Sequence, residues 1–174
     1  MNKILKTAAL KFFPAIMIAI VSLLMSSGVR AEFIFESLDN NFPEEVTLAS
    51  EEGKKLVVMF QQTGCPYCAK MHARVFPDPK VDDFYSKNFV MMMSNIRGGL
   101  PVTGPSGKEM TEKQLARTLR VRATPVFIFY DKNGKPALRV TGFLNAERFN
   151  KAGQYVLDGV YKTKMSFYRY LLKK

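Results

Sequence analysis

The chain has 174 residues, 47% of them hydrophobic and 24% charged, which suits one ordinary globular domain with or without an address segment. That composition excludes a disordered chain, a collagen-like repeat and a disulfide-dense mini-protein. The net charge is +11, from 26 Lys and Arg against 15 Asp and Glu, and two cysteines and one histidine leave little material for a multi-ligand metal centre.

Residues 1–31 read as a secretory signal peptide. Lys3, Lys6 and Lys11 form its positive start, residues 12–25 its apolar run, and Val29 and Ala31 the small residues before a cleavage point. The apolar run is short for a spanning helix, which needs about 20 residues. An uncleaved membrane anchor is the alternative. In either case residues 32–174 are expected outside the cytoplasm, where nucleic acid is not an expected partner. With Arg30, the segment carries four cations and no acid. Its removal leaves 22 Lys and Arg against 15 acids, a charge of +7 that reads as solvated or membrane-facing surface.

After a short apolar start at Phe33-Ile34-Phe35, residues 43–52 read as a helix, with Pro43, Glu44 and Glu45 suited to its first turn. Residues 56–60 are continuously apolar and read as a buried strand. Gln61-Gln62-Thr63-Gly64 ends it. Cys65 opens a segment in which Cys68, Met71, His72 and Val75 recur at helical steps, and Pro77 and Pro79 stop it. A short helix is expected over 81–88 and a second strand over 89–93. Residues 97–108, with four glycines and two prolines, read as a long loop. Thr111 to Gln114 resembles a capping box at the head of the next helix. Residues 126–130 are a third strand, Asp131 to Gly134 a hairpin turn, 137–141 a fourth strand and 146–161 a terminal helix. The basic, aromatic tail, 162–174, is expected to pack Phe, Tyr and Leu side chains onto the domain with its lysines in water. The run Met91-Met92-Met93 reads as strand core, because alternate side chains face opposite sides. Together these elements indicate an α/β arrangement around a mixed sheet.

Cys65-Pro66-Tyr67-Cys68 is the most informative feature. A structural staple normally links distant segments, whereas a bond between these two cysteines closes a tiny loop and removes little chain entropy. The spacing suits redox cycling. At a helix start, Cys65 lies beside unpaired backbone N–H groups that favour thiolate over thiol, and Pro66 fits the first helical position. Cys68 lies one turn deeper, within reach to resolve a mixed disulfide. The alternative is a metal site: Cys65, Cys68 and His72 stand at i, i+3 and i+7, and thiolates with an imidazole suit Cu(I) or Zn(II). Haem attachment fails, since Ala69 stands where Cys-x-x-Cys-His requires histidine. Thr124-Pro125 opens the third strand, where proline is tolerated because it needs no ladder donor.

The order strand, Cys-Pro-Tyr-Cys, helix, strand, helix, Thr-Pro-strand, hairpin, helix resembles the thioredoxin superfamily over about residues 45–160. Gly64 to Cys68 with Met71-His72, Val75-Phe76, Asp78-Pro79, Asn95-Ile96, Leu115-Ala116-Arg117, residues 121–125, Tyr161-Lys162-Thr163 and Ser166-Phe167 resembles the SoxW-like periplasmic thioredoxins in particular. The resemblance implies a thioredoxin-like fold, a mixed central sheet flanked by helices, and a periplasmic thiol–disulfide oxidoreductase acting on protein disulfides in the reducing direction. It further implies electrons from a membrane-embedded thiol carrier, Cys65 and Cys68 as catalytic residues, and Pro66, Tyr67, Thr124 and Pro125 as the substrate-binding rim. Pro125 is expected to be cis and to face the dithiol, with the Thr124 backbone pairing with a substrate strand. No cofactor is expected. Nothing suggests a dimerisation domain, so a monomer is expected and an isomerase role is not. Two departures stand out. Gly64 replaces the tryptophan of the thioredoxin motif, and Met59 stands where thioredoxins place a buried acid. His72 is then a candidate proton acceptor for Cys68, with direct access of water as the alternative.

Overall fold

Strand β1 (Ile34–Phe35) is followed by helix α1 (Phe42–Glu51) and strand β2 (Lys55–Gln61) in a computed structural model that describes residues 33–35 and 40–172. The expected signal peptide, residues 1–31, lies outside the described residues. Beyond β2 come α2 (Pro66–Lys70), which widens into one π turn over Met71–Val75, then α3 (Pro79–Asn88) and β3 (Phe89–Asn95). A hairpin of β4 (Pro101–Thr103) and β5 (Glu109–Thr111) leads into α4 (Glu112–Thr118). The chain continues through β6 (Val126–Tyr130), β7 (Pro136–Thr141), α5 (Ala146–Leu157), a 3-10 turn at Val160–Lys162 and α6 (Phe167–Leu171).

Five strands form one mixed sheet in the order β1-β3-β2-β6-β7. β1 and β2 run parallel to β3, β6 runs antiparallel to β2, and β7 runs antiparallel to β6. The uninterrupted apolar runs of β2 and β6 follow from this placement, because central strands are covered on both faces. Helices α2, α3, α5 and α6 cover one face, over a cluster that includes Met59, Tyr85, Phe127, Phe149 and both cysteines. Helices α1 and α4 with the hairpin cover the other, over Leu56, Val58, Phe60, Val126, Ile128 and Tyr130. Met91 and Met92 turn to opposite faces, as strand alternation requires.

Side chains define the helix starts. Asn41, Asp78, Thr111, Asn145 and Ser166 each accept a backbone N–H of the first turn, and at Thr111 both halves of the capping box form. The tail packs as its composition suggests. Phe167 is buried, and the Tyr155 ring meets those of Phe167 and Tyr170 at 5.6 and 5.4 Å. The Tyr155 hydroxyl donates to the Met165 carbonyl at 2.8 Å.

Three expectations are corrected. Residues 97–108 are not one long loop, because residues 101–103 pair with 109–111 and Val102 is buried against the second face. The terminal helix ends at Leu157 rather than 161, since Asp158 caps it and Gly159 takes a left-handed φ of +66°. The helix after Cys65 is not α-helical throughout: the Phe76 N–H reaches back five residues to Met71, a wider turn that changes the periodicity.

Candidate active site

The parallel strands β2 and β3 both end beside the dithiol. The Ile96 N–H donates to the Gln61 carbonyl at 2.9 Å, and the Cys65 N–H to the Gln62 carbonyl at 3.2 Å. Between them Gly64 takes φ +77°, a conformation glycine enters without penalty. The chain thus leaves the sheet and starts a helix within four residues. Cys65 is the cap of that helix, with extended dihedrals, and Pro66 follows at the first helical position.

The two sulfurs share a few neighbours but differ in what they do with them. Cys65 Sγ accepts the Cys68 N–H at 3.2 Å and its thiol lies 3.5 Å from the Thr124 carbonyl. Burial pushes the Cys65 thiol up, but hydrogen bonds from the Cys68 thiol, the Thr124 hydroxyl and the Cys68 and Tyr67 backbone outweigh it, so its pKa falls below the ordinary thiol value. For Cys68, burial and the Cys65 sulfur push the pKa up to about 11, against weaker opposing bonds from Thr124 and the Gln62 backbone. Cys65 is 8% and Cys68 4% exposed, and both are free thiols.

Thr124 thus meets Cys65 across 59 residues of sequence. The Thr124–Pro125 peptide bond is cis, and Pro125 is buried at the head of β6 with its carbonyl accepting the Gly142 N–H at 2.8 Å. Tyr67 stands 52% exposed beside the dithiol, with Lys70 Nζ 5.5 Å from its ring centre. Pro66 is exposed. The six residues singled out from the sequence therefore gather at one end of the sheet.

His72 behaves differently. Its Nε2 lies 2.9 Å from Gln61 Oε1 and its ring meets Phe76 edge-on at 5.1 Å. Burial lowers its pKa. Among the described residues no three His, Cys, Asp or Glu side chains stand together as a metal site, so the Cys65–Cys68–His72 ligand set is not assembled. Gln61, rather than Cys68, takes the imidazole. Met59 is fully buried in the same cluster as both cysteines, and a thioether there accepts no proton. No carboxylate is among the groups that shift Cys68. Gln62 acts through its backbone, which carries no sequence signal.

Residues 42–157 match the thioredoxin-like domain family. Over 120 residues the chain is 29% identical to a thiol:disulfide interchange protein DsbD of Photorhabdus laumondii subsp. laumondii, covering 67% of this chain and 19% of that protein. The chain therefore spans about a fifth of the length of that curated relative. It is similar in structure to a thioredoxin-fold protein from Helicobacter pylori, with TM-score 0.63 and 21% identity over 83% of this chain and 88% of that one. It is also similar to a thioredoxin from Thermus thermophilus, with TM-score 0.52 and 28% identity over 70% of this chain and 88% of that one. With the family match extending over more than half its length, the chain belongs to the thioredoxin-like domain family.

Proposed function

We propose that the protein is an exported thiol–disulfide oxidoreductase that reduces disulfides in other proteins through Cys65 and Cys68. The observation that carries this reading is the asymmetric placement of the dithiol. Cys65 caps the helix and its Sγ accepts the Cys68 N–H at 3.2 Å, which holds its pKa below the ordinary thiol value. Cys68 lies one turn in, where burial pushes its pKa up to about 11. One sulfur is prepared to attack and the other to wait.

In this reading the Cys65 thiolate attacks one sulfur of the target disulfide. The target S–S bond breaks, a Cys65–target disulfide forms, and the departing target thiolate takes up a proton. Cys68 then gives up its proton to solvent and attacks Cys65 Sγ. That frees the second target thiolate, which is protonated in turn, and leaves a Cys65–Cys68 disulfide. Two electrons and two protons pass from the dithiol to the target, and an external dithiol must restore them. A membrane-embedded thiol carrier is the proposed donor. Thr124, Pro125, Pro66 and Tyr67 form the rim on which the target chain lies, with the Thr124 backbone available for strand pairing. Residues 1–31 serve as the export signal to the periplasm, residues 32–174 as the working domain, and the protein acts as a monomer. The SoxW-like grouping is part of the same proposal and rests on the sequence motifs alone.

Cys68→Ser protein should accumulate mixed disulfides with target proteins, released by a reductant, while Cys65→Ser should accumulate none. Equal capture by both variants would remove the assigned roles, and capture by Cys65→Ser alone would reverse them.

A further inference from the structure

The helix that carries the dithiol and the loop that leads into Thr124 bear cations and no acid. Residues 59–77 carry Lys70 and Arg74 and no acid, and residues 113–130 carry Lys113, Arg117, Arg120 and Arg122 and no acid. All six are exposed, and none forms an ion pair among the described residues. Carboxylates bound both stretches: Asp78 follows the first, and Glu112 and Asp131 stand at the two ends of the second. Of the two acids that adjoin the second stretch, Glu112 is buried, its Oε1 accepting the Asn95 N–H at 2.7 Å at the end of β3. Asp131 is half-buried, its Oδ1 accepting the Asn133 and Lys135 N–H groups at 2.9 Å in the hairpin turn.

Two of the six cations are tied to the dithiol by contacts of their neighbours. Lys70 stands over the ring of Tyr67, and Arg122 lies two residues before Thr124, whose carbonyl is 3.5 Å from Cys65 Sγ. The loop that carries Arg120 and Arg122 is held from below. Arg139 donates to the carbonyls of Leu119 and Arg120 at 2.6 and 3.0 Å, and the Val121 N–H donates to Ala116 at 2.7 Å. Arg120 and Arg122 are therefore mounted on a held backbone that leads into Thr124.

We infer that the rim of the dithiol is a docking surface for a protein whose disulfide is flanked by acidic residues, with Lys70 over the Tyr67 ring and Arg120 and Arg122 on the loop into Thr124 supplying the positive charge. The inference rests on the thiol–disulfide reading above. A one-signed surface around a reactive group raises the encounter rate of an oppositely charged partner and lowers that of a like-charged one, and salt screens both effects.

The test is a single-turnover measurement with fully reduced protein and three oxidised substrates: neutral hydroxyethyl disulfide, a peptide disulfide flanked by Glu, and the same peptide flanked by Lys. The acidic peptide should react at least tenfold faster than the basic one at low ionic strength, and the ratio should fall towards one as salt is added. In Lys70→Glu/Arg122→Glu protein the ratio should drop below one. Because it is taken within each protein, a general change in reactivity cancels, and the salt series on the unaltered chain needs no variant. If the neutral disulfide is reduced while both peptides react equally at all salt concentrations, the docking inference is overturned and the oxidoreductase reading stands. If none of the three is reduced, the oxidoreductase reading fails and the inference falls with it.

Discussion

The two faces of the sheet are built to different standards. On the dithiol face, Tyr85 stacks on Phe149 at 4.2 Å with the rings 5° from parallel, and its hydroxyl donates to the Phe149 carbonyl at 2.7 Å. Phe149 also contacts the rings of Phe76 and Phe127, so the helix carrying Cys65 and Cys68 rests on a dense aromatic layer. On the opposite face the hydroxyls of Ser94 and Tyr130 are buried without a partner among the described residues, and both line a cavity of about 20 Å3. The difference teaches where precision is needed. The face that positions the sulfurs has its fully buried tyrosine hydroxyl satisfied and leaves only Asn150 Oδ1, on α5, without a partner among the described residues, whereas the face under the hairpin leaves two hydroxyls so.

The largest expected effect is therefore on the dithiol face. Phe149→Ala should lower stability by about 3–5 kcal/mol, the usual range for emptying a fully buried phenylalanine site, read as a shift of the urea midpoint. A loss below about 1 kcal/mol would show that the aromatic layer is not what supports α2. A more direct comparison removes the same atom from each face. Tyr85→Phe removes a buried hydrogen bond and should cost about 1–3 kcal/mol, while Tyr130→Phe removes a hydroxyl with no partner among the described residues and should cost less than about 1 kcal/mol or stabilise. Equal losses would erase the distinction between the faces.

A smaller effect concerns pH. Burial and the Cys65 sulfur push the Cys68 pKa up to about 11 in the folded protein, against an ordinary 9.0. Its raised value contributes stability that is complete below pH 9 and lost as pH rises towards 11. Reduced wild-type protein should thus lose stability across that window more steeply than reduced Cys68→Ser protein. Parallel profiles would mean that Cys68 ionises as freely folded as unfolded.

What could be read in the sequence was local. Cys65 to Cys68 combines a strand end, a proline at the first helical position and two thiols one turn apart, all within a few residues, so spacing alone suggests its chemistry. The central strands are equally legible, since five-residue apolar runs have few other uses. The contact between Thr124 and Cys65 is not local, and only the family resemblance pointed to it. The β4–β5 hairpin was hidden because its strands are three residues long, surrounded by glycine and proline, and held partly by a bridge from Asn41 to Thr103. The partner of His72 was equally out of reach of the sequence: Gln61 sits on the neighbouring strand, where no periodicity points.

Everything proposed for the dithiol depends on Cys65 being the more acidic thiol and Cys68 the proton keeper. The most direct measurement is the rate of alkylation of each cysteine in the reduced protein from pH 5 to 11, resolved by mass spectrometry of the separate peptides. Cys65 should react first, with a midpoint below 9, and Cys68 should gain reactivity only towards about 11. If Cys68 is labelled first, or if both cysteines titrate together near 9, the account is contradicted.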